Sequence, residues 1–235
     1  MSRAHERPPD QDRAAVWRQA MSVGIATGAY GVSFGAVGVA SGLSIAQTAV
    51  LSLLMFSGGS QFALAGVVAA GGGGVTAVLT PAFVGVRNAF YGLQMSPVVR
   101  ARGWRRIAAI QLTIDESTAV GSAQLATRPD RPDLARLGFW ATGGSIYVLW
   151  NLTTLAGALA GSALGNPSRY GFDAAAAGAF LALLWPRLRT AGTVQIAVAA
   201  AAVATLALPF TGAGVPVLLA AAIAMLVAVA LGRRS

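Results

Sequence analysis

The chain has 235 residues, of which 55% are hydrophobic and 11% are charged, and its formal net charge is +9. Soluble domains carry about 25% charged residues, so this composition excludes an ordinary water-soluble fold. There is no Cys, which excludes disulfides, thiolate catalysis and Cys-ligated metal sites. Every basic residue other than His5 is Arg, and the arginines cluster at the ends of apolar segments. Arginines at the ends of apolar segments are typical of membrane proteins, where they set the orientation of the segments. This placement therefore argues against nucleic-acid binding.

Eight apolar segments follow a polar lead. Continuous runs of about 20 apolar residues can cross a hydrocarbon core about 30 Å thick, and such runs are typical of helices. We expect residues 1–18 to be a disordered cytoplasmic tail and residues 19–235 to form one transmembrane domain. The segments cover residues 19–40, 43–70, 75–98, 107–126, 137–162, 172–186, 191–209 and 213–231. The sequence therefore predicts an all-α polytopic membrane protein with about seven or eight apolar segments, some of them broken or re-entrant.

The first segment is rich in glycine. Its glycines stand at small-xxx-small spacings, and the fifth segment repeats the pattern at Gly157, Gly161 and Gly165. Such spacings let helix backbones approach closely within a membrane. We therefore predict close helix packing at Gly24, Gly28, Gly31, Gly35, Gly38 and Gly42.

The distribution of arginine conflicts with a simple count of crossings. If the N-terminus is cytoplasmic and every segment crosses fully, Arg128, Arg131 and Arg136 fall inside, as the positive-inside rule requires. The densest cluster, at positions 100–106, then falls outside. One re-entrant segment within 43–98 and another at 107–126 would return that cluster to the cytoplasm. Re-entrant backbone is tolerated where protein or a water-filled cavity surrounds it.

Polar side chains and adjacent glycines interrupt the second segment. Ser57, Gly58, Gly59, Ser60 and Gln61 stand between apolar residues in its middle. Each Gly costs about 1 kcal/mol of helix stability relative to Ala, so the helix is expected to break here. A helix that restarts at mid-membrane presents free N–H groups, which favour an anion such as a carboxylate. The alternative is a packing kink in which Gln61 bonds to a neighbouring helix.

The third segment carries a charge near its centre. Arg87 stands about twelve residues from either end, beside Asn88 and one helical turn before Tyr91. A charge at this depth costs several kcal/mol, so it should face a cavity or a counter-charge. The alternative is a purely structural ion pair.

The fourth segment contains two consecutive carboxylates. Asp115 and Glu116 point about 100° apart on a helix, so one can pair with Arg87 while the other titrates. A protonatable carboxylate at this depth is typical of proton-coupled transport. The alternative is a structural pair at a water-exposed helix break. Asp173 is a weaker candidate, because it resembles a residue of a helix first turn.

Enzymatic functions find little support. An intramembrane serine protease needs a His base, and the only His is His5 in the tail. Asp115 and Asp173 are available for a carboxylate dyad, but no Gly-Asp motif accompanies either. No P-loop motif is present. We expect no catalytic activity, no metal and no cofactor.

Taken in order, these motifs resemble the AzlC family, the large subunits of two-component branched-chain amino acid exporters. The resemblance rests on the segments Phe56–Phe62 and Arg87–Gly92, the pair Asp115-Glu116, and the later runs Tyr147–Asn151, Gly171–Asp173 and Phe180–Leu184. It covers residues 17–231. It implies a plasma-membrane permease with a small hydrophobic AzlD-like partner subunit and dependence on an ion gradient.

The sequence and the resemblance together give a hypothesis for transport. The break at Ser57–Gln61, with Arg87, Asn88 and Tyr91, is expected to bind the substrate. Asp115 or Glu116 is expected to meet the ammonium group or to carry the coupling proton. The alternative is a membrane channel or a non-transporting assembly subunit.

Overall fold

The computed structural model describes residues 9–163, 181, 184–185, 188–212 and 214–232. This part of the chain is helical and contains no β-strand, which confirms the predicted all-α class. The helices are α1 (Pro9–Ala29), α2 (Gly31–Ala40), α3 (Ile45–Leu54), α4 (Gly58–Ala69), α5 (Gly74–Val99), α6 (Trp104–Gln111), α7 (Asp115–Thr127), α8 (Pro132–Ala163), α9 (Ala191–Ala207) and α10 (Val215–Gly232).

Four stretches of the described residues are long and apolar enough to cross a membrane, judged by length and composition: Asp10–Ala40, Pro132–Ala163, Ala191–Phe210 and Val215–Gly232. Helix α5 has 26 residues and is about 39 Å long, but it carries Arg87 at its centre. Most of the predicted segment 172–186, together with Gly165 and Asp173, lies outside the described residues.

Helix α1 begins earlier than the sequence predicted. Residues 9–18, assigned above to a disordered tail, form its first turns. Asp12 is 8% exposed and forms an ion pair with Arg128 at 2.9 Å, and Val16 is buried. The assignment of residues 9–18 to a disordered tail was wrong because Asp12 forms ion pairs with arginines of the α7–α8 loop. Residues 1–8 lie outside the described part.

A parallel pair of long helical stretches, α1–α2 and α8, forms the scaffold. Gly24, Gly28 and Gly31 meet Ser145, Leu149 and Thr153 in turn, so the two stretches run in the same direction. A Cβ atom on Gly35 or Gly157 would overlap backbone atoms of the partner helix. The predicted close packing is confirmed at these glycines but is wrong for Gly42, which has a φ of 96° in the turn after α2 and no atom within 4 Å of a Cβ position. We call the face at which α1 and α8 both begin the N-terminal face.

The α3–α4 segment is a re-entrant hairpin that enters from the opposite face. Helix α3 starts where Thr48 packs on Gly38, near the end of α2. It reaches half the depth of the scaffold at Leu53, whose carbonyl accepts a hydrogen bond from Tyr147 Oη at 3.2 Å. The chain turns at residues 55–57, and α4 returns antiparallel to α5. Helix α5 then crosses to the N-terminal face, where the Val98 carbonyl accepts a hydrogen bond from Arg136 Nε at 2.8 Å.

The α6–α7 segment is a second re-entrant hairpin, from the N-terminal face. Helix α6 rises to Gln111, whose Nε2 donates to the Leu53 carbonyl of the first hairpin at 2.8 Å. The chain turns at residues 112–114, and α7 descends until Gln124 Nε2 meets Gln19 Oε1 at 2.9 Å. The arginines at 100–106 therefore lie on the same face as Arg128. The predicted pair of re-entrant segments is confirmed, and with it the explanation of the charge conflict.

The last two helices pack on each other in antiparallel fashion, with Gly192 close to Leu231. Gly214, just before α10, lies against Thr76 and Thr80 of α5. Helix α10 therefore starts at the face opposite the N-terminal face. Within these two helices only Pro216 is buried, as expected for helices whose surfaces largely face lipid.

Candidate functional site

A cavity of about 780 Å³ lies where the two hairpin tips meet α1, α5 and α8. Polar residues from all three sequence motifs line this central cavity. They are Ser57, Gly58 and Gly59 from the first tip, Arg87 and Asn88 from α5, and Asp115 and Glu116 from the second tip. Residues separated by up to 59 positions in the chain are thus brought into one site.

The first tip presents the N-terminus of α4 to the cavity. Ser57 is the N-cap residue in extended conformation, but its side chain makes no capping hydrogen bond. It accepts instead from Ser60 Oγ at 3.2 Å. The first N–H groups of a helix have no intrahelical partner, and they carry the positive end of the helix dipole. This end of α4 is therefore suited to an anionic group.

The two glycines allow close approach at this tip. A Cβ atom on Gly59 would lie 3.1 Å from Arg87 Nη2, and one on Gly58 would lie 3.2 Å from the Trp150 ring. Any side chain larger than hydrogen would therefore press on the Arg87 guanidinium or on Trp150. The Gly-Gly pair is needed for packing as well as for the helix break.

Arg87 and Asp115 form an ion pair at the centre of the molecule. Arg87 Nη2 lies 2.9 Å from Asp115 Oδ2, and the two side chains are 34% and 24% exposed. Tyr91 Oη donates to Asp115 Oδ1 at 2.8 Å. The pair neutralises both charges at a depth where an isolated charge would be costly. Of the two consecutive carboxylates, it is Asp115 that pairs with Arg87.

Three buried polar atoms of α5 have no hydrogen-bond partner among the described residues, Thr80 Oγ1, Arg87 Nε and Asn88 Oδ1. Buried polar atoms in folded proteins are nearly always hydrogen-bonded. Asn88 lines the central cavity, although its carbonyl oxygen is buried in this structure.

Gln61 lies behind the cavity wall rather than on it. It is fully buried, its Nε2 donates to the Met55 carbonyl at 2.7 Å, and its Oε1 accepts from Trp150 Nε1 at 2.9 Å. Both ends of the amide are therefore engaged within the protein. Gln61 holds the first hairpin tip to α8.

Ser60 and Tyr91 are also absent from the lining of the central cavity among the described residues. Ser60 is 2% exposed and lines a neighbouring side chamber of about 600 Å³. Tyr91 reaches the site through its hydrogen bond to Asp115. The structure thus places these two predicted substrate-binding residues, like Gln61, beside the cavity.

Several lining residues were missed by the sequence interpretation, above all Tyr30 and Trp150. Tyr30 stands at the junction of α1 and α2, so the helix interruption between Gly28 and Gly31 was the available signal. Trp150 had no local signal. Aromatic side chains close the cavity toward the face opposite the N-terminal face: Phe34 contacts Phe62 edge-on at 5.5 Å and stacks on Trp150 at 6.4 Å.

Two further cavities adjoin the central one, and Asn88 lines all three. The side chamber is mainly apolar, with Met55, Leu64, Val78 and Pro81 in its wall. The other cavity, of about 440 Å³, lies between α5 and α6 toward the N-terminal face. We call it the vestibule; its wall includes Gly92, Met95, Ser96, Arg106, Ala109 and Thr113.

No group of three or more His, Cys, Asp or Glu residues that could hold a metal ion occurs within the described part of the chain.

Comparison with known proteins is consistent with this geometry. No curated protein and no solved structure gives a significant match to the chain. A family model described as AzlC protein matches residues 22–164, a range that contains helices α2 to α8 and almost all of the central cavity. The match covers more than half of the sequence, and the chain therefore belongs to the AzlC family.

Proposed function

We propose that this protein is a secondary transporter that exports branched-chain or related neutral amino acids across the plasma membrane. The AzlC family is associated with branched-chain amino acid transport. The observation that carries the proposal is the arrangement of charge in the central cavity. The start of α4, the Arg87 guanidinium and the carboxylates of Asp115 and Glu116 all line this one cavity, and Arg87 and Asp115 are in direct contact.

This arrangement is complementary to a zwitterion. The carboxylate would accept hydrogen bonds from the first N–H groups of α4 and from Arg87. The ammonium group would meet Asp115 or Glu116. Asn88, whose carbonyl oxygen has no partner among the described residues, would accept a further hydrogen bond from the ammonium group.

The Arg87–Asp115 ion pair makes the site selective for a molecule that carries both charges. A zwitterion that inserts between the two side chains gives each a new partner of opposite charge. A simple anion would bind Arg87 but leave Asp115 without its counter-charge, and for a pair that is 34% and 24% exposed this should cost about 2 kcal/mol, between the values for exposed and buried pairs. Neutral amino acids are therefore favoured over carboxylic acids or amines alone.

The apolar side chamber would take the substrate side chain. The side chamber shares Phe56, Ser57 and Asn88 with the central cavity. A substrate whose carboxylate and ammonium groups are bound in the central cavity could therefore extend its side chain into the side chamber. Its volume of about 600 Å³ exceeds that of a branched aliphatic side chain. The preference for valine, leucine or isoleucine would come from the apolar wall.

Coupling to an ion gradient would use the carboxylates. A carboxylate inside a membrane-embedded site is a common carrier of a coupled proton. Asp115 or Glu116 would then bind and release the coupling proton once per cycle.

The N-terminal face would be cytoplasmic. The arginines at 100–106 and those of the α7–α8 loop lie on this face, and short cytoplasmic loops are enriched in Arg. Members of the AzlC family generally work with a small AzlD partner, and we propose that this chain does the same.

The test is counterflow of labelled valine in proteoliposomes, with the partner subunit present. Asp115→Asn and Glu116→Gln should abolish proton-driven efflux, while at least one of them should retain exchange of valine for valine. Asp130→Asn, in an exposed loop, is the matched control. Full proton-dependent efflux by both carboxylate variants would refute the coupling role, and efflux without counterflow would indicate a channel.

A further inference from the structure

The two hairpins belong to a repeated structural unit. Each unit is a long helical stretch followed by a re-entrant hairpin: α1–α2 with α3–α4, and then α5 with α6–α7. The helix after the first tip begins at Gly58 and the helix after the second tip begins at Asp115, 57 residues later. The units run in opposite directions, since the first hairpin enters from the face opposite the one that the second enters from. The chain thus contains an inverted repeat.

The lining of the central cavity follows the same spacing, which is an independent observation. Positions separated by 57 residues line the cavity in pairs, one from each unit. The pairs are Thr27 and Val84, Tyr30 and Arg87, Ser57 and Ile114, Gly58 and Asp115, and Gly59 and Glu116. The cavity therefore lies on the axis that relates the two units, as transport sites do in proteins built from inverted repeats.

The two units differ in how the outer arm of each hairpin packs. Helix α3 lies directly on α2, with Thr48 against Gly38, and Ser52 is fully buried. Helix α6 has no buried side chain and is separated from α5 by the vestibule. Ala109 is the residue equivalent to Ser52, and it lines that vestibule. The same space is closed in one unit and open in the other.

We propose that the vestibule between α5 and α6 is the access route from the N-terminal face to the central cavity. The equivalent space between α2 and α3 is the access route from the opposite face, and it opens when the vestibule closes. This inference rests on the proposed transport function. Arg106, at the vestibule wall, would attract the carboxylate of an incoming substrate.

One hydrogen bond that holds the first hairpin to α8, besides that of Tyr147 Oη to the Leu53 carbonyl, has no counterpart in the second unit. Gln61 joins the first hairpin to α8 through Trp150. The residue equivalent to Gln61 in the second unit is Thr118, whose Oγ1 is buried and makes no hydrogen bond among the described residues. The first hairpin is therefore tied to α8 by a bond that the second hairpin lacks. Loss of this bond should shift the protein toward the state in which the α2–α3 space is open.

The absence of Cys makes the test direct. A membrane-impermeant thiol reagent is applied to each face of membrane vesicles in turn. The rate at which it reacts with Ser52→Cys measures access to the α2–α3 space, and the rate with Ala109→Cys measures access to the vestibule. Because reactivity follows exposure, Ala109→Cys should react about tenfold faster, and from the N-terminal face. Adding Trp150→Phe, which replaces the indole with a smaller aromatic ring that has no N–H, should speed reaction at Ser52→Cys from the opposite face and slow it at Ala109→Cys.

The reciprocal change is the decisive outcome. Faster reaction at position 52 without slower reaction at position 109 would mean local loosening and would overturn the proposal, as would no change at either. Trp17→Phe, at a half-exposed position of α1 that lines none of the three cavities, should change neither rate. Gln61→Met removes the same hydrogen bond from its other end and should reproduce the effect of Trp150→Phe.

The effect of valine on the two labelling rates distinguishes this inference from the proposed function. Saturating valine should also change the two rates in opposite directions. If Trp150→Phe produces the reciprocal change but valine does not, the two access routes stand and the substrate assignment fails.

Discussion

The ion pair between Arg87 and Asp115 gives the sharpest quantitative prediction. Its contribution can be isolated by a double-mutant cycle with Arg87→Gln, Asp115→Asn and the double variant. Each single variant leaves one charge without its partner in a region where an isolated charge is costly. The double variant removes both charges and should recover most of the stability lost in either single variant.

The expected size of the coupling follows from the geometry. Breaking a fully buried pair costs about 3–5 kcal/mol, while exposed pairs contribute about 0–1 kcal/mol. With Nη2 and Oδ2 at 2.9 Å and side chains 34% and 24% exposed, we expect a coupling energy of about 2 kcal/mol. Tyr91 Oη still donates to Asp115 in Arg87→Gln, so that variant should be the less destabilised of the two singles.

The assay is reversible unfolding in mixed detergent micelles, followed by circular dichroism. A cycle on Arg13 and Asp133, which lie 3.9 Å apart with side chains 53% and 43% exposed, is the matched control and should give a coupling near zero. A coupling below about 0.5 kcal/mol for Arg87 and Asp115, similar to that of exposed pairs, would refute the electrostatic argument.

Two further predictions concern glycines. Gly59→Ala places a Cβ atom 3.1 Å from Arg87 Nη2, so it should reduce valine affinity several-fold with little loss of thermal stability; an unchanged KM in the efflux assay would contradict this. Gly35→Ala puts a methyl group into the backbone of α8, whereas nothing lies within 4 Å of a Cβ atom on Gly66. Gly35→Ala should therefore lower the free energy of unfolding by about 1–3 kcal/mol. Gly66→Ala should leave it unchanged or raise it by up to about 1 kcal/mol, because Ala favours the helix. The same unfolding assay measures both, and equal effects would show that the helix contact at Gly35 is absent.

The sequence by itself determined the fold class and the irregular points of the chain. Runs of apolar residues specify helices that face lipid, because no other open structure satisfies its backbone hydrogen bonds there. Gly58 and Gly59 specify a helix break because they weaken the helix locally. The arginines at 100–106 require this part of the chain to lie at a membrane surface, since charged side chains avoid the hydrocarbon core. These are local or compositional effects, and each can be recognised without knowing any partner.

Which helix packs on which was decided only by the tertiary structure. In a membrane, surfaces that face lipid and surfaces that face protein are both apolar, so periodicity does not reveal the buried side of a helix. For this reason the sequence did not single out Tyr30 or Trp150 as lining residues, and it left open whether Gln61 faces the cavity or a neighbouring helix. The partner of Arg87 was also left open between two consecutive carboxylates. Only the depth at which the α6–α7 hairpin turns back places Asp115 against the guanidinium.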